Sequence, residues 1–412
     1  MQTQLEASIK NTHAGEEADA ILRSCVHCGF CLATCPTYQI LGDELDSPRG
    51  RIYLIKQLLE GVPVTQKTQQ HLDRCLTCRA CETTCPSGVQ YGRLLDIGRH
   101  QVEQQVDRKL RMRLLRYGLR KILSNRRMFA ALMMVARIAR PFLPAKLRKT
   151  IPLVSKISPH VSGGHTTRTM LVLDGCVQPA LKPAINLATS RVLNRIGINL
   201  VNVPQAGCCG ALAYHLDAQE EGLDAMRRNI DAWWPYVARQ KKPAEAIVIT
   251  ASGCGVTVKE YGYLLRHDDQ YAEKAAHISV LAKDISEVVA AEQNHLAALM
   301  RNDVKLPSIA FHSPCTLQHG MQLSGVVENL LQSLGFELAS VSDPHLCCGS
   351  AGTYSLLQPE LSRQLRDNKL TALCREKPDL LATANIGCLM HLQAAADLPV
   401  KHWIELLDEV LR

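Results

Sequence analysis

The chain has 412 residues, of which 46% are hydrophobic and 21% charged, and its formal net charge is +8 at pH 7. This length predicts several folded units, and the composition excludes a disordered or fibrous chain. The sequence has neither an apolar run of the ~20 residues that span a bilayer nor a signal-peptide pattern, so we expect a cytoplasmic protein.

Eight of the seventeen cysteines lie in two runs with the pattern C-x2-C-x2-C-x3-C-P. The runs are CVHCGFCLATCP, ending at Pro36, and CLTCRACETTCP, ending at Pro86. This is the run of bacterial ferredoxins, in which three close thiolates and one cysteine of the other run hold each cluster. Zinc is the alternative, but zinc sites rarely contain a third cysteine at the same short interval, and here it occurs twice.

We therefore expect two 4Fe–4S clusters with crossed ligands. The first would be held by Cys25, Cys28, Cys31 and Cys85, and the second by Cys75, Cys78, Cys81 and Cys35. The thirty-nine residues between the runs have leucines and isoleucines at helical spacing. Residues 1–100 thus resemble the helical ferredoxin domain of respiratory dehydrogenase subunits. His27 and Arg79 lie inside the cysteine loops, and we expect both to face solvent.

The next segment, residues 101–165, is basic. Between positions 101 and 150 it contains fourteen Lys and Arg but only Glu103 and Asp107 as acidic residues. Its apolar residues have roughly helical spacing, which predicts one or two amphipathic helices. The segment is either an interfacial element on an anionic membrane or acidic partner, or a basic linker. Nucleic-acid binding is not expected, because aromatic residues are few and no binding motif is present.

The second half of the chain contains a duplication. Cys176, Cys208 and Cys209 recur 139 residues later as Cys315, Cys347 and Cys348, and Gly253-Cys254 recurs as Gly387-Cys388. Each cysteine group follows a short strand-like run, and helical stretches lie between the runs. This order predicts open α/β sheets with the cysteines at the carboxyl edge. We expect an α+β multidomain chain, in which two Rossmann-like domains, 166–300 and 301–412, follow a boundary in IPLVSKISPHVSGGHTT.

This half resembles the cysteine-rich CCG domains of the heterodisulfide reductase B subunit and of glycolate, lactate and glycerol-3-phosphate oxidation systems. The resemblance implies an additional redox or cluster site at Cys176, Cys208, Cys209, Cys254, Cys315, Cys347, Cys348 and Cys388. The chain departs from the family pattern because the expected C-x-x-C reads Cys254-Gly-Val-Thr257 and Cys388-Leu-Met-His391. One ligand per half is therefore missing. We interpret Cys374 as structural, and His215, His319 and His345 as neighbours without a ligand role.

The order of modules is similar to that of the glycolate oxidase iron–sulfur subunits. Segments that carry the likeness are SCVHCGFCLATCPTYQILGDELDSPRGRIYLIK, GCCGALAYHL, NIDAWWP and TASGCGVTVKEYG. It implies an electron carrier between FAD-binding subunits that oxidise glycolate to glyoxylate and a membrane quinone, peripheral on the cytoplasmic face of the inner membrane.

No G-x-G-x-x-G fingerprint follows a strand-like run, and we assign no catalytic residue to this chain. The alternatives are an electron-transfer subunit of a lactate or glycerol-3-phosphate dehydrogenase and a non-catalytic zinc-binding scaffold.

Overall fold

A computed structural model describes residues 1–144, 148, 151–152, 166–238, 241–301 and 303–411. Most of the predicted boundary segment, residues 153–165, therefore lies outside the described residues. Within them the chain forms a helical N-terminal module, a pair of basic helices and two parallel sheets flanked by helices. None of the described helices has the length and apolar character that crossing a membrane requires.

The N-terminal module is helical, as predicted. Its helices are α1 Ala7–Lys10, α2 His13–Ser24, α3 Phe30–Ala33, α4 Pro36–Leu41, α5 Pro48–Leu59, α6 Gln66–Asp73, α7 Ala80–Thr83 and α8 Tyr91–Gln105. Proline at the first position of α4 and α5 favours helix initiation there. Ser47 also caps α5, because its hydroxyl accepts the Gly50 N–H at 3.0 Å. The core buries Leu22, Ile55 and Leu94 completely.

The basic segment forms two helices, α9 Leu110–Ser124 and α10 Arg126–Ala139. The Asn125 side chain separates them and caps α10 by accepting the N–H groups of Arg127 and Met128, both at 3.1 Å. Just before α9, the Arg108 guanidinium bonds to the carboxylates of Asp73 and Glu103. These contacts attach the start of the basic segment to the N-terminal module.

The first sheet is parallel, with strand order β2-β1-β3-β4. Its strands are β1 Arg168–Leu173, β2 Ile198–Asn202, β3 Ile247–Ile249 and β4 Ala282–Asp284. The helices around it are α11 Gln178–Leu181, α12 Ala184–Arg195, α13 Ala211–His215, α14 Gln219–Val237, α15 Ser252–Lys259, α16 Tyr261–Leu264, α17 Ala272–Leu281, α18 Ile285–Ala291 and α19 Gln293–Leu299. Strand β3 is buried throughout, as expected of a parallel strand covered on both faces.

The second sheet repeats this topology as β6-β5-β7-β8, all parallel. Its strands are β5 Ser308–His312, β6 Glu337–Leu338, β7 Leu380–Thr383 and β8 Val400–His402. The helices are α20 Val326–Ser333, α21 Tyr354–Leu357, α22 Pro359–Leu373, α23 Ile386–Gln393 and α24 Trp403–Val410. The predicted duplication and the predicted α/β class are therefore confirmed.

The two halves pack against each other through a common core. Buried Val192 and Ile285 of the first half belong to the same hydrophobic cluster as Leu331 and Leu381 of the second. At the edge of this cluster the Arg195 guanidinium lies 2.7 Å from an Asp408 carboxylate oxygen. The cysteine groups of both halves are thus held in fixed positions relative to each other.

Candidate functional site

The two ferredoxin-type runs adopt the same loop conformation. His27 and Gly29 in the first run, and Thr77 and Arg79 in the second, all have positive φ values of 54–85°. Left-handed residues in such a loop turn backbone N–H groups towards one concave side, where they can bind negatively charged groups. In the second run the Thr77 N–H donates to the Cys75 sulfur at 3.4 Å. The loops are therefore shaped to surround thiolates.

The first thiol group, defined as Cys25, Cys28, Cys31 and Cys85, lines one cavity near the surface. Cys85 comes from the second run, so the chain brings together the four residues that crossed ligation requires, while Cys81 also borders this cavity. Cys28 is exposed, and Val26 and Phe30 beside it are 67% and 62% exposed. This group thus reaches the protein surface.

The second thiol group, defined as Cys35, Cys75, Cys78 and Cys81, lines a neighbouring cavity. The completely buried Arg51 lies beside it and donates to the His71 carbonyl at 2.7 Å. Burial alone would lower the pKa of Arg51, but the nearby Cys75, Tyr91 and Cys35 raise it above its ordinary value. The Tyr91 hydroxyl donates to the Cys75 sulfur at 3.6 Å.

This environment fits an iron–sulfur cluster. All seventeen cysteines are free thiols, so those of the two groups are available as ligands. A buried cation and hydroxyl and N–H donors around the sulfurs stabilise the negative charge of a thiolate-ligated cluster. The four thiols that converge in each cavity provide the number of ligands that each cluster needs.

In the first cysteine-rich half, each cysteine lies at the carboxyl end of a strand. Cys176 follows β1, the pair Cys208 and Cys209 follows β2, and Cys254 lies on α15 after β3. The thiols of Cys176 and Cys209 donate to the Cys208 sulfur, and these bonds lower the pKa of Cys208 well below its ordinary value. Three of the four thiols of this half are therefore in contact with one another.

The second half repeats this arrangement with Cys315, Cys347, Cys348 and Cys388 after β5, β6 and β7. The sulfurs of Cys315 and Cys347 lie 3.8 Å apart. Gly349 follows the cysteine pair with φ of 84°, and a Cβ atom there would lie 2.6 Å from the Ser362 carbonyl oxygen. Glycine is thus required for the close approach of this loop to α22.

One cavity of about 380 Å³ joins the second thiol group to both cysteine-rich halves. Cys78 of the N-terminal module, Cys176 of the first half and Cys315 of the second all line it. Burial raises the pKa of Cys78, and the neighbouring Cys315 adds to this effect. The strand C-termini predicted to carry the cysteines therefore converge on the ferredoxin-type module.

Arg79 does not face solvent, and that prediction was wrong. Its side chain is 17% exposed and pairs with the Glu260 carboxylate of the first half. His27 is only partly exposed and lies beside Met1.

Two of the three histidines predicted to be neighbours of the cysteines contact the N-terminal module. His215 lies 3.3 Å from an Asp96 carboxylate oxygen, and His319 lies 3.0 Å from the Thr83 hydroxyl. The ring of His319 also bonds to the backbone carbonyl of His345. Cys374 ends α22 and does not line the shared cavity.

Sequence reasoning missed three buried polar residues beside the thiols: Arg51, His312 and Lys369. His312 could have been noticed, because the 139-residue offset pairs it with Leu173 in the first half. Arg51 and Lys369 resemble ordinary surface cations of amphipathic helices, and the sequence contains no signal that they are buried.

Helices α9 and α10 have an outer face that is both basic and apolar. Arg111 and Arg113 are exposed, and so are the large apolar residues Leu110, Leu114, Met134 and Ile138, together with Phe142 in the turn after α10. Arg108 and Arg116 instead face the module, near Asp73. On its inner side, α9 contributes Met112 and Leu123 to the shared cavity.

Comparisons with known proteins agree with this description. A family model for a 4Fe-4S dicluster domain matches residues 21–89. A model for a cysteine-rich domain matches twice, at residues 170–259 and 309–393.

The chain is 56% identical over 412 residues to the "Glycolate oxidase iron-sulfur subunit" of Escherichia coli (strain K12), covering 100% of this chain and 99% of the relative. It is 30% identical to the "Probable glycolate oxidase iron-sulfur subunit" of Bacillus subtilis (strain 168), covering 93% and 91%. "Lactate utilization protein A" of Bacillus velezensis is 27% identical and matches 57% of this chain and 96% of its own length. The chain belongs to the family of glycolate oxidase iron–sulfur subunits, which carry 4Fe–4S clusters and transfer electrons.

Proposed function

We propose that this chain carries electrons from FAD-binding partner subunits, which oxidise glycolate to glyoxylate, towards a membrane quinone. The observation that carries the proposal is the position of Cys78, which lines one cavity with Cys176 and Cys315 of the two cysteine-rich halves. Thiol groups therefore succeed one another from exposed Cys28 to the interior of both halves. Such a succession suits stepwise electron transfer, the chemistry that iron–sulfur clusters supply when bound.

The crossed ligand sets form part of this proposal. The first thiol group would hold one 4Fe–4S cluster and the second thiol group the other, while the cysteines of each half form a further candidate site. We also propose that the chain divides into units 1–100, 101–165, 166–300 and 301–412, with Rossmann-like folds in the last two.

Electrons would enter at the first thiol group. Cys28 is the exposed cysteine of this group, and the exposed apolar side chains of Val26 and Phe30 flank it. A flavin subunit that covers these side chains would bring its cofactor close to the first cluster. The second thiol group is less suited to this role, because it faces the cysteine-rich halves.

Electrons would leave on the side of α9 and α10. The outer face of these helices combines exposed Arg111 and Arg113 with exposed Leu110 and Leu114. This combination suits binding at the surface of an anionic membrane. We therefore propose a peripheral position on the cytoplasmic face of the inner membrane, with the shared cavity directly behind α9.

The experiment uses the chain assembled with its flavin subunits under anaerobic conditions. Glycolate, lactate and glycerol 3-phosphate are each added, and reduction of the clusters is followed by EPR. We expect glycolate to reduce the clusters fastest. Faster reduction by lactate or glycerol 3-phosphate would favour the corresponding alternative, and a colourless, iron-free protein containing zinc would contradict an electron-transfer role altogether.

A further inference from the structure

His312 ends β5 in the interior of the second half. His312 is only 2% exposed. Neither its Nδ1 nor its Nε2 has a hydrogen-bond partner within the described part of the chain. A buried polar group without a partner is destabilising, so its presence calls for a ligand.

Two thiols lie within reach of this imidazole. One ring nitrogen of His312 and the sulfurs of Cys348 and Cys388 all lie within 4.8 Å of one another. Both cysteines are buried, with 1% and 5% exposure. The Asn385 amide donates to the Cys388 sulfur at 3.4 Å, which would hold that ligand in position. One imidazole and two thiolates form a ligand set typical of zinc or ferrous iron.

Among the described residues of the first half, no such group of imidazole and thiols occurs. The residue at the corresponding place is Leu173, at the end of β1, and it belongs to the same buried cluster as Cys209, the counterpart of Cys348. The buried polar residues of the two halves also differ: α22 buries the cation Lys369, whereas the corresponding α14 buries the neutral Asn229. Lys369 donates to the Asp343 carbonyl at 2.8 Å, in the loop before Cys347. The duplicated halves have therefore diverged in the chemistry around their thiols.

His391 is the competing candidate, because it occupies the position of the missing cysteine after Cys388. Its Nε2 lies 3.1 Å from the Ser362 hydroxyl and 3.3 Å from the Ser362 carbonyl oxygen. These bonds already use that nitrogen, so the structure favours His312 rather than His391 as the additional ligand.

We propose that His312, Cys348 and Cys388 bind one metal centre of the zinc or ferrous-iron class. The centre is a single zinc ion or one iron of a cluster in the second half, and both share the imidazole–dithiolate ligation. The proposal concerns ligation alone, so it depends neither on the substrate nor on the route of the electrons.

The test measures zinc and iron in the full-length chain purified anaerobically, as the unaltered protein and as the His312→Leu and His391→Leu variants. His312→Leu should lose about one equivalent of zinc with unchanged iron if the centre is a single ion, or lose iron if it is part of a cluster. His391→Leu should keep the metal content of the unaltered chain. Unchanged zinc and iron in His312→Leu, or loss confined to His391→Leu, would overturn the proposal.

Because Leu173 occupies the corresponding end of β1, the end of β5 should accept leucine in His312→Leu. The variant His312→Cys should keep the metal, because cysteine supplies another ligand. If His312→Leu does not fold, spectroscopy of the unaltered chain tests whether a histidine nitrogen binds the metal. Zinc-edge X-ray absorption should show a mixed nitrogen and sulfur shell, or pulsed EPR of the protein labelled with ¹⁵N-histidine should show nitrogen coupled to an iron signal. Absence of nitrogen from both the zinc shell and the iron signals would contradict the proposal.

Discussion

The guanidinium of Arg79 pairs with the carboxylate of Glu260, with Nη2 and Oε2 3.0 Å apart. Arg79 belongs to the second ferredoxin-type loop, and Glu260 follows α15 of the first cysteine-rich half. Arg79 also has φ of 61°, a conformation that is unfavourable for a residue other than glycine. The contact thus fixes a strained loop position against the half with which the second thiol group shares a cavity.

Glu260→Gln should weaken the attachment of the ferredoxin-type module. The substitution removes the negative partner of a largely buried cation, and we expect a loss of about 2 kcal/mol in the free energy of unfolding. Urea unfolding checks this, with the exposed Glu273→Gln as control. The EPR signal of the second cluster should change more than that of the first. Equal stability of Glu260→Gln and the control would exclude a role for this pair.

Cys35→Ser should affect the cluster that is remote in sequence. Cys35 lines the cavity of Cys75, Cys78 and Cys81 and does not line that of the first thiol group. Iron content should fall from about eight towards about four per N-terminal module, with loss of the second cluster's EPR signal. Cys374→Ser, which removes a thiol outside these groups, serves as control. Loss of the first cluster's signal instead would show that the ligands are not crossed.

Asp284 should make the stability of the chain depend on pH. Burial raises the pKa of this carboxyl to about 6. The folded chain therefore binds more protons than the unfolded chain between about pH 4 and 6, so stability falls as pH rises through this range. Above pH 7, where Asp284 is ionised in both states, its burial lowers the free energy of unfolding by about 3 kcal/mol relative to the value below pH 4.

Asp284→Asn removes this titration but keeps an oxygen that can accept the Ser286 N–H, as Asp284 does at 2.9 Å. Relative to the unaltered chain, the variant should gain about 3 kcal/mol in unfolding free energy between pH 4 and pH 7. Urea unfolding across this range measures the difference, and the exposed Asp397→Asn should show no such trend. A pH-independent difference for Asp284→Asn would contradict the raised pKa.

The basic helices should give salt-sensitive binding to anionic vesicles. Each exposed cation near such a surface contributes about 1 kcal/mol, so the double charge reversal Arg111→Glu, Arg113→Glu should weaken binding at least about tenfold. Co-sedimentation with phosphatidylserine vesicles measures this. Reversal of the exposed Lys10 and Lys67 on the N-terminal module is the matched control. Unchanged binding of the first variant would exclude α9 as the membrane contact.

Much of the fold could be predicted because cysteine spacing and duplication are local patterns. The run ending at Pro36 and its repeat indicated the helical module, and the 139-residue offset indicated the two sheets that carry Cys176 and Cys315. Contacts between distant segments could not be predicted in this way. The burial of Arg79 depends on Glu260, which is 181 residues away, and sequence periodicity contains no information about such a pair.

The candidate site shows the same limit. His312 lies only three residues before Cys315, yet its importance depends on Cys348 and Cys388, which other strands bring to it. Arg51 lies in a helix whose spacing predicts an amphipathic element, but its burial results from the packing of α6 against the same helix.

In the proposed route, electrons pass from the second thiol group through the cysteine-rich halves to the side of α9 and α10. The variant to measure carries Ser in place of Cys208, Cys209, Cys347 and Cys348 in the complete complex. After glycolate is added, EPR follows reduction of the N-terminal clusters and absorbance follows reduction of quinone. We expect the N-terminal clusters still to be reduced, because the first thiol group, which receives the electrons, is unchanged. Quinone reduction should fall, and iron or zinc should be lost from the halves. Normal quinone reduction with unchanged metal content, in a variant that retains the N-terminal clusters, would exclude the halves from the route of the electrons.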